Sequence, residues 1–312
     1  MFELPIVEMN AARHCVGLSD GRQVEYDLAS LDTGSETDLR WLAGRGDNLL
    51  LVKPLTTFQA AWSALIEKAQ KTGTYSLAIV GGGAAGVEIA LNARLAFSRM
   101  GGSVKMALIA GDSGLLPGHP ARAKQVVRRW LREADIEVLL EQAVSVENGL
   151  LLLSNGHHRP VDRVIAATGP QPPTWLASSK LHLDREGYVA VDSFNRSCSH
   201  SQVFAAGDIC ARAEDVPRSG VNAVRVGPVL AHNLLAAADA RPLRRFRPRR
   251  RVMYLLANGA QRALLIFGWF SIAGRWLWRL KDRIDRRFVA RFSAPTSKHP
   301  AQANANAGDS DS

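Results

Sequence analysis

The clearest chemistry in the chain lies in Gly81-Gly82-Gly83-Ala84-Ala85-Gly86, which follows the apolar run Leu77-Ala78-Ile79-Val80 and leads into Val87, Ile89, Ala90 and Leu91. A buried parallel strand that ends in Gly-x-Gly-x-x-Gly and turns into a helix is the arrangement that holds a dinucleotide. Gly81 permits the tight turn, with Gly82 completing the loop, Gly83 lets bare backbone approach a pyrophosphate, and Gly86 lets helix and strand pack closely. The helix start supplies N–H groups and partial positive charge to the phosphates. A second constellation is Val203-Phe204-Ala205-Ala206-Gly207-Asp208, a buried strand that delivers a carboxylate beside backbone a ligand can approach. Its alternative reading is an Asp that caps the next segment. Thr33-Gly34 and Thr168-Gly169 close apolar runs, either as ligand contacts or as plain strand-end turns. Glu88, two residues past Gly86, suits a helix start, where a carboxylate is worth about 0.3 to 1 kcal/mol.

One departure concerns the nucleotide's ribose. The strand after the glycine helix, Met106-Ala107-Leu108-Ile109, should end in an acid that bonds the 2′-hydroxyl of NAD, yet Ala110-Gly111 stand there and Asp112 comes two positions late. No Arg occupies the strand end to favour a 2′-phosphate, although Arg122 follows, so the choice between NADH and NADPH stays open.

The elements that position these residues repeat. Leu18, Asp27 and Thr33 of one series recur as Leu153, Asp162 and Thr168, each displaced by 135. Both series run from a hairpin turn, at Asp20-Gly21 or Asn155-Gly156, to a buried strand ending in Thr-Gly. The glycine turn opens the second unit. Its counterpart in the first would fall before Met1, so the expectation is that this chain lacks the opening strand, glycine turn and helix of its first dinucleotide-binding unit.

With 312 residues, 46% hydrophobic and 22% charged, the chain is long enough for two cores and excludes disordered or collagen-like classes. Cys15, Cys198 and Cys210 make no Cys-x-x-Cys pair, and the eight His lack ligand spacing, so no metal site is expected. No apolar run is long enough to cross a bilayer and the first residues lack a leader pattern, which predicts a cytoplasmic protein. Between Arg241 and Arg291 there are fifteen Lys/Arg against two acids, whereas the net charge of the whole chain is +10. A basic excess confined to one segment points to an anionic surface, membrane or nucleic acid.

Together, Val80 to Glu88, Leu115-Leu116-Pro117-Gly118, Ala167-Thr168-Gly169 and Val203 to Asp208 resemble the two-dinucleotide-fold flavoprotein reductases, the FAD-dependent pyridine nucleotide-disulfide oxidoreductases. Within them the chain is similar to the type II NADH dehydrogenase-like branch, and most of all to the oxidoreductase domain fused to selenide, water dikinase in some bacteria. Ser30 to Ser35, Val52-Lys53-Pro54-Leu55 and Trp278 to Phe288 carry that likeness. It implies an α/β protein of two nested Rossmann-like FAD- and NAD(P)-binding domains, the first incomplete at its N-terminus, plus a small C-terminal β-hairpin and helix region. It also implies that Asp208, with Gly207, accepts bonds from the FAD ribitol, that Thr33 and Gly34 lie near FAD, and that Thr168 and Gly169 lie near NAD(P). Glu88 would then sit by the nicotinamide ring, and Lys53 would line the flavin pocket or merely mark the domain crossover.

The organisation expected is a remnant of the first half of the FAD domain over 1–55, a linking helix over 56–72 opened by a capping box at Thr56, and an NAD(P)-binding domain over 73–170. A return to the FAD domain occupies 171–241, with a helix from Gly220 to Leu235. The sheet and basic amphipathic helix fill 242–292, and a disordered tail 293–312. A hairpin on Asn258-Gly259 should form a sheet of the kind that covers the flavin in such proteins. The helix, with Trp276, Leu280, Ile284, Phe288 and Phe292 amid arginines, fits either a membrane interface or its own protein. The activity implied is FAD-dependent NAD(P)H:acceptor oxidoreduction, with a quinone-type acceptor and a peripheral membrane position; no catalytic side chain is named. The competing readings are a catalytically impaired remnant and a nucleic-acid-binding protein using Arg244 to Arg251.

Overall fold

The computed structural model describes residues 4–44, 46–72, 74–101, 103–212, 216, 218–249 and 251–292; the tail expected over 293–312 lies outside them. Its centre is a five-stranded, wholly parallel sheet in the order Leu49–Leu51, Arg163–Ala166, Thr74–Val80, Ser103–Ile109, Ile136–Leu139. Thr74–Val80 and Ser103–Ile109 alternate in burial over their first residues and are continuously buried over their last four. That change follows the sequence, which turns from mixed to wholly apolar where helices cover one face and the antiparallel strands Ala143–Glu147 and Leu150–Leu153 cover the other.

Helices α1 (Leu55–Thr72), α2 (Ala84–Arg99) and α3 (Ala121–Glu133) pack on this sheet. Helix α1 begins one residue before the capping box expected at Thr56. Pro54, with its fixed φ, precedes it, and the Pro54 carbonyl accepts a bond from Phe58 N at 3.2 Å.

The repeat is visible strand by strand. Cys15–Leu18 and Gln23–Glu25 form a hairpin turning on Gly21, and Leu150–Leu153 and His158–Pro160 form its copy turning on Gly156; both glycines have positive φ. Cys15 pairs with Glu25 and Leu150 with Pro160, the same register displaced by 135. Each hairpin then feeds a parallel strand, Ala29–Leu31 or Arg163–Ala166. Ala29–Leu31 pairs in parallel with Val203–Ala205, as Arg163–Ala166 pairs with Leu49–Leu51.

The units meet at a two-stranded ribbon of Glu36–Thr37 and Pro170–Gln171, in which Glu36 pairs with Gln171. Those two residues are themselves 135 apart, so the ribbon pairs equivalent positions of the two copies.

Strand Val203–Ala205 is buried on both sides, by Leu31, Val189 and Val191 on one and by α4 (Gly220–Ala238) with Phe246 on the other. The chain after α4 is bound along it by two asparagines. Asn233 exchanges bonds with Arg244 N and O, and Asn222 with Arg249 N and O.

Past residue 250 the sequence forms three antiparallel strands, Tyr254–Ala257, Ala263–Phe267 and Phe270–Gly274, then α5 (Arg275–Phe292). The hairpin on Asn258-Gly259 is as expected; the third strand adds to it. Leu256, Leu264 and Ile266 join the core of the five-stranded sheet, so this small sheet packs on α2 and α3. Helix α5 docks through Leu277, which is fully buried, while Trp276, Leu280, Ile284 and Phe288 are 38–56% exposed.

Candidate functional site

The glycine turn is built as its spacing requires. Gly81 has φ +129°, and a Cβ there would lie 2.4 Å from the Ala167 carbonyl oxygen. A Cβ on Gly86 would lie 1.9 Å from the Gly81 oxygen, and one on Gly82 2.4 Å from the Gly114 oxygen. Gly83 differs: a Cβ there would meet nothing within 4 Å. It is also the N-cap of α2 and has no side chain with which to satisfy the helix's first N–H groups. A turn sealed on its protein side and open at the helix start fits the pyrophosphate of a nicotinamide nucleotide.

Thr168 and Gly169 adjoin this turn, with Thr168 N 3.2 Å from a Cβ on Gly81. Their polar groups face the crossing ribbon: Gly169 O accepts from Asp38 N at 2.9 Å, and Thr168 Oγ1 donates to Asp38 O. Thr33 and Gly34 precede the partner strand of the same ribbon.

On that side stands a charged cluster. Lys53 Nζ lies 2.5 Å from Ser35 Oγ and 3.4 Å from Asp208 Oδ2, and Ser35 Oγ also donates to Asp208 Oδ2 at 3.4 Å. Gly207, at φ +73°, lets Asp32 approach, since a Cβ there would lie 2.7 Å from Asp32 Oδ1. Burial and the neighbouring Asp208 push the Asp32 carboxyl above the usual carboxylate range. Asp32 and Ser35 were not among the expected site residues; their signal was adjacency, since they bracket Thr33-Gly34 in sequence.

Beside Gly207 opens a cavity of about 570 Å3, bounded by Cys210, Arg212, Arg218 and the start of α4 at Ser219 and Asn222. The Cys210 thiol bonds the Gly207 carbonyl at 3.3 Å, and burial pushes it up. Cys15, Cys198 and Cys210 are all unpaired, and no group of metal-ligating side chains occurs among the described residues. Cavity, glycine and cluster fit the flavin end of FAD. Among the described residues one glycine turn opens a helix, and it is that of α2.

Glu88 stands apart from both clusters. Its carboxylate accepts from Ala257 N at 3.0 Å and pairs with Lys281 at 3.5 Å, linking α2 to the C-terminal sheet and to α5.

Two copies of one hairpin-and-strand unit thus meet at this ribbon, one beside the glycine turn of α2 and the other beside the Lys53, Ser35 and Asp208 cluster. Over residues 2–227 the chain matches the family described as pyridine nucleotide-disulphide oxidoreductase, and it belongs to that family. It is 32% identical over 198 residues to an NADH oxidase of Streptococcus pneumoniae serotype 4, covering 60% of this chain and 41% of that protein. To the nitric oxide reductase FlRd-NAD(+) reductase of Salmonella newport it is 30% identical over 237 residues, covering 74% of this chain and 58% of the relative. The chain thus spans about half the length of these relatives. Its fold resembles that of the sulfide:quinone oxidoreductase from Aquifex aeolicus, with TM-score 0.71 and 18% identity over 93% of this chain and 74% of the other. It also resembles the water-forming NADH oxidase from Lactobacillus brevis, solved with NADH, with TM-score 0.67 and 21% identity over 84% of this chain and 57% of that one.

Proposed function

We propose that the chain works as an FAD-dependent NAD(P)H:acceptor oxidoreductase whose acceptor is quinone-like and which lies against the inner face of the cytoplasmic membrane. The observation that carries this reading is the ribbon Glu36–Thr37/Pro170–Gln171, which joins the glycine-turn side of the molecule to the Asp208 side. When bound, FAD supplies the acceptor for a hydride from the nicotinamide. The protein's part is to bind and orient. Gly81, Gly82, Gly83 and Gly86 hold the nucleotide's pyrophosphate, and Thr168 and Gly169 flank it. Asp208, steadied by Lys53 and Ser35, receives ribitol hydroxyls beside Gly207, with Thr33 and Gly34 closing that side.

The membrane reading draws on α5. Past Leu277 its apolar residues overhang the sheet among Arg279, Arg283, Arg286 and Arg287, and Trp269 at the last hairpin tip is 88% exposed. Among the described residues no helix is long and apolar enough to cross a membrane, so attachment would be at the surface. Nucleic-acid binding is disfavoured because Phe246, the aromatic within the arginine run, is buried beneath Arg212 and offers no face to a base.

The test is anaerobic titration of the FAD-loaded chain with NADH, then addition of decylubiquinone. Bleaching of the flavin absorbance and its return with the quinone are expected. Bleaching without return would exclude the quinone but not the reductase; no bleaching with flavin bound would leave the impaired-remnant reading.

A further inference from the structure

The strand Ser103–Ile109 ends without the acid that marks NAD-binding folds, yet the structure restores a carboxylate to that place by another route. Gly111 has φ +64°, a left-handed conformation that turns the chain sharply after Ala110, and Gly114 N closes the turn on Gly111 O at 2.9 Å. The turn lies against the glycine loop: the Gly114 carbonyl is 2.4 Å from where a Cβ on Gly82 would stand, and Leu116 N donates to Gly82 O at 2.8 Å. Asp112 is therefore held beside the nucleotide cradle.

Its carboxylate is braced from a different element. Gln142 Nε2 donates to Asp112 Oδ2 at 2.5 Å. Gln142 is itself fixed at both backbone ends, its N donating to Ser154 Oγ at 3.0 Å and its O accepting from Ser154 N at 2.8 Å. With Oδ2 engaged, Oδ1 is the oxygen left to receive a ligand hydroxyl.

The loop that carries this oxygen has no basic residue of its own. From Met106 to Ala121 the chain carries no Lys or Arg, and Glu141 adjoins Gln142. Arg159, which lines the same flank as Glu141, is paired with Glu137. A ribose hydroxyl would gain a charged acceptor here, whereas a 2′-phosphate would meet the Asp112 carboxylate, with Arg122 at the start of α3 the first basic residue along the chain.

Given that the glycine turn holds a nicotinamide nucleotide, as proposed above, we propose that Asp112, positioned by Gln142, makes this chain selective for NAD(H) over NADP(H). Asp112 is the specificity-determining residue and Gln142 a positioning residue.

The experiment is calorimetric titration of the full chain with NAD+ and with NADP+, for the wild type, Asp112→Asn, Gln142→Ala and Gly83→Val, with a melting curve for each. The wild type should bind NAD+ at least about tenfold more tightly than NADP+, and Asp112→Asn should shrink that ratio by about tenfold, the scale of one charged hydrogen bond. Gln142→Ala should reduce the ratio less, and Gly83→Val should weaken both nucleotides together. Equal affinities in the wild type, a preference for NADP+, or a ratio unchanged in folded Asp112→Asn would overturn the selectivity assignment and leave the oxidoreductase reading standing. Binding of neither nucleotide to the wild type would overturn both.

Discussion

Gly83 and Gly86 are three positions apart in one turn and answer to different demands. At Gly86 a methyl group would run into the Gly81 carbonyl, whereas at Gly83 it would enter open space. Gly86→Ala should therefore destabilise the fold by about 2 kcal/mol, as overpacking does, whether or not nucleotide is present. Gly83→Val should leave the melting temperature nearly unchanged and abolish most nucleotide affinity; a clear fall in melting temperature would show that this glycine serves the fold. Asp32 offers a test through pH. A carboxyl whose folded pKa is raised holds its proton more tightly in the folded state than in the unfolded one. Stability therefore falls as pH rises from the ordinary aspartate value of 3.8 through the folded value, and the deficit persists at neutral pH. Asp32→Asn removes the deficit, so it should raise the melting temperature at pH 7 and give no gain near about pH 3, where both states are protonated. A gain of equal size at both pH values would mean that the carboxylate charge is not its source.

At the scale of elements, α2 does two things with two ends of one turn. Its start at Gly83 is open to a ligand, while Glu88 reaches the other way to Ala257 N and Lys281. Removing that carboxylate leaves a partly buried backbone donor without an acceptor, a loss of about 1 to 2 kcal/mol. Glu88→Ala should lower the melting temperature and expose the amides of Tyr254–Ala257 to faster hydrogen exchange. Glu88→Gln, which keeps an acceptor for Ala257 N, should recover part of the loss. If nucleotide affinity fell in Glu88→Gln while exchange stayed slow, Glu88 would belong to the nicotinamide side. The α5 helix shows the same division along its length, its first turn docked by Leu277 and its remainder carrying exposed apolar side chains.

Across the whole molecule the charge is divided: residues 241–291 carry thirteen more Lys/Arg than acids, which leaves the rest of the chain slightly negative, at minus three against a total of +10. Such a molecule should orient on an anionic surface with its C-terminal side inward, each arginine near the lipid adding about 1 kcal/mol. Sedimentation with anionic vesicles should be strong at low salt, weaken at high salt, and be lost on deletion of Gly274 to Ser312. The same deletion should leave nucleotide binding at the α2 turn intact. Sedimentation unchanged by the deletion would end the membrane reading of α5.

The parts of this protein written in local pattern could be read from the chain alone. The glycine turn, the two hairpins on Asp20-Gly21 and Asn155-Gly156, the displacement of 135 and the hairpin on Asn258-Gly259 depend on residues close in sequence, whose backbone preferences act wherever the chain goes. Asp208 and the Thr-Gly pairs were visible as strand ends for the same reason. Contacts between distant segments were not. That Lys53 and Ser35 meet Asp208, that Asp32 lies over Gly207, that Glu88 holds the C-terminal sheet onto α2, and that Gln142 braces Asp112 are matters of which faces the core brings together. Spacing along a strand or helix says which side chains share a face, but the partner of that face is chosen by the burial of apolar surface from the whole chain, and only the tertiary structure records that choice.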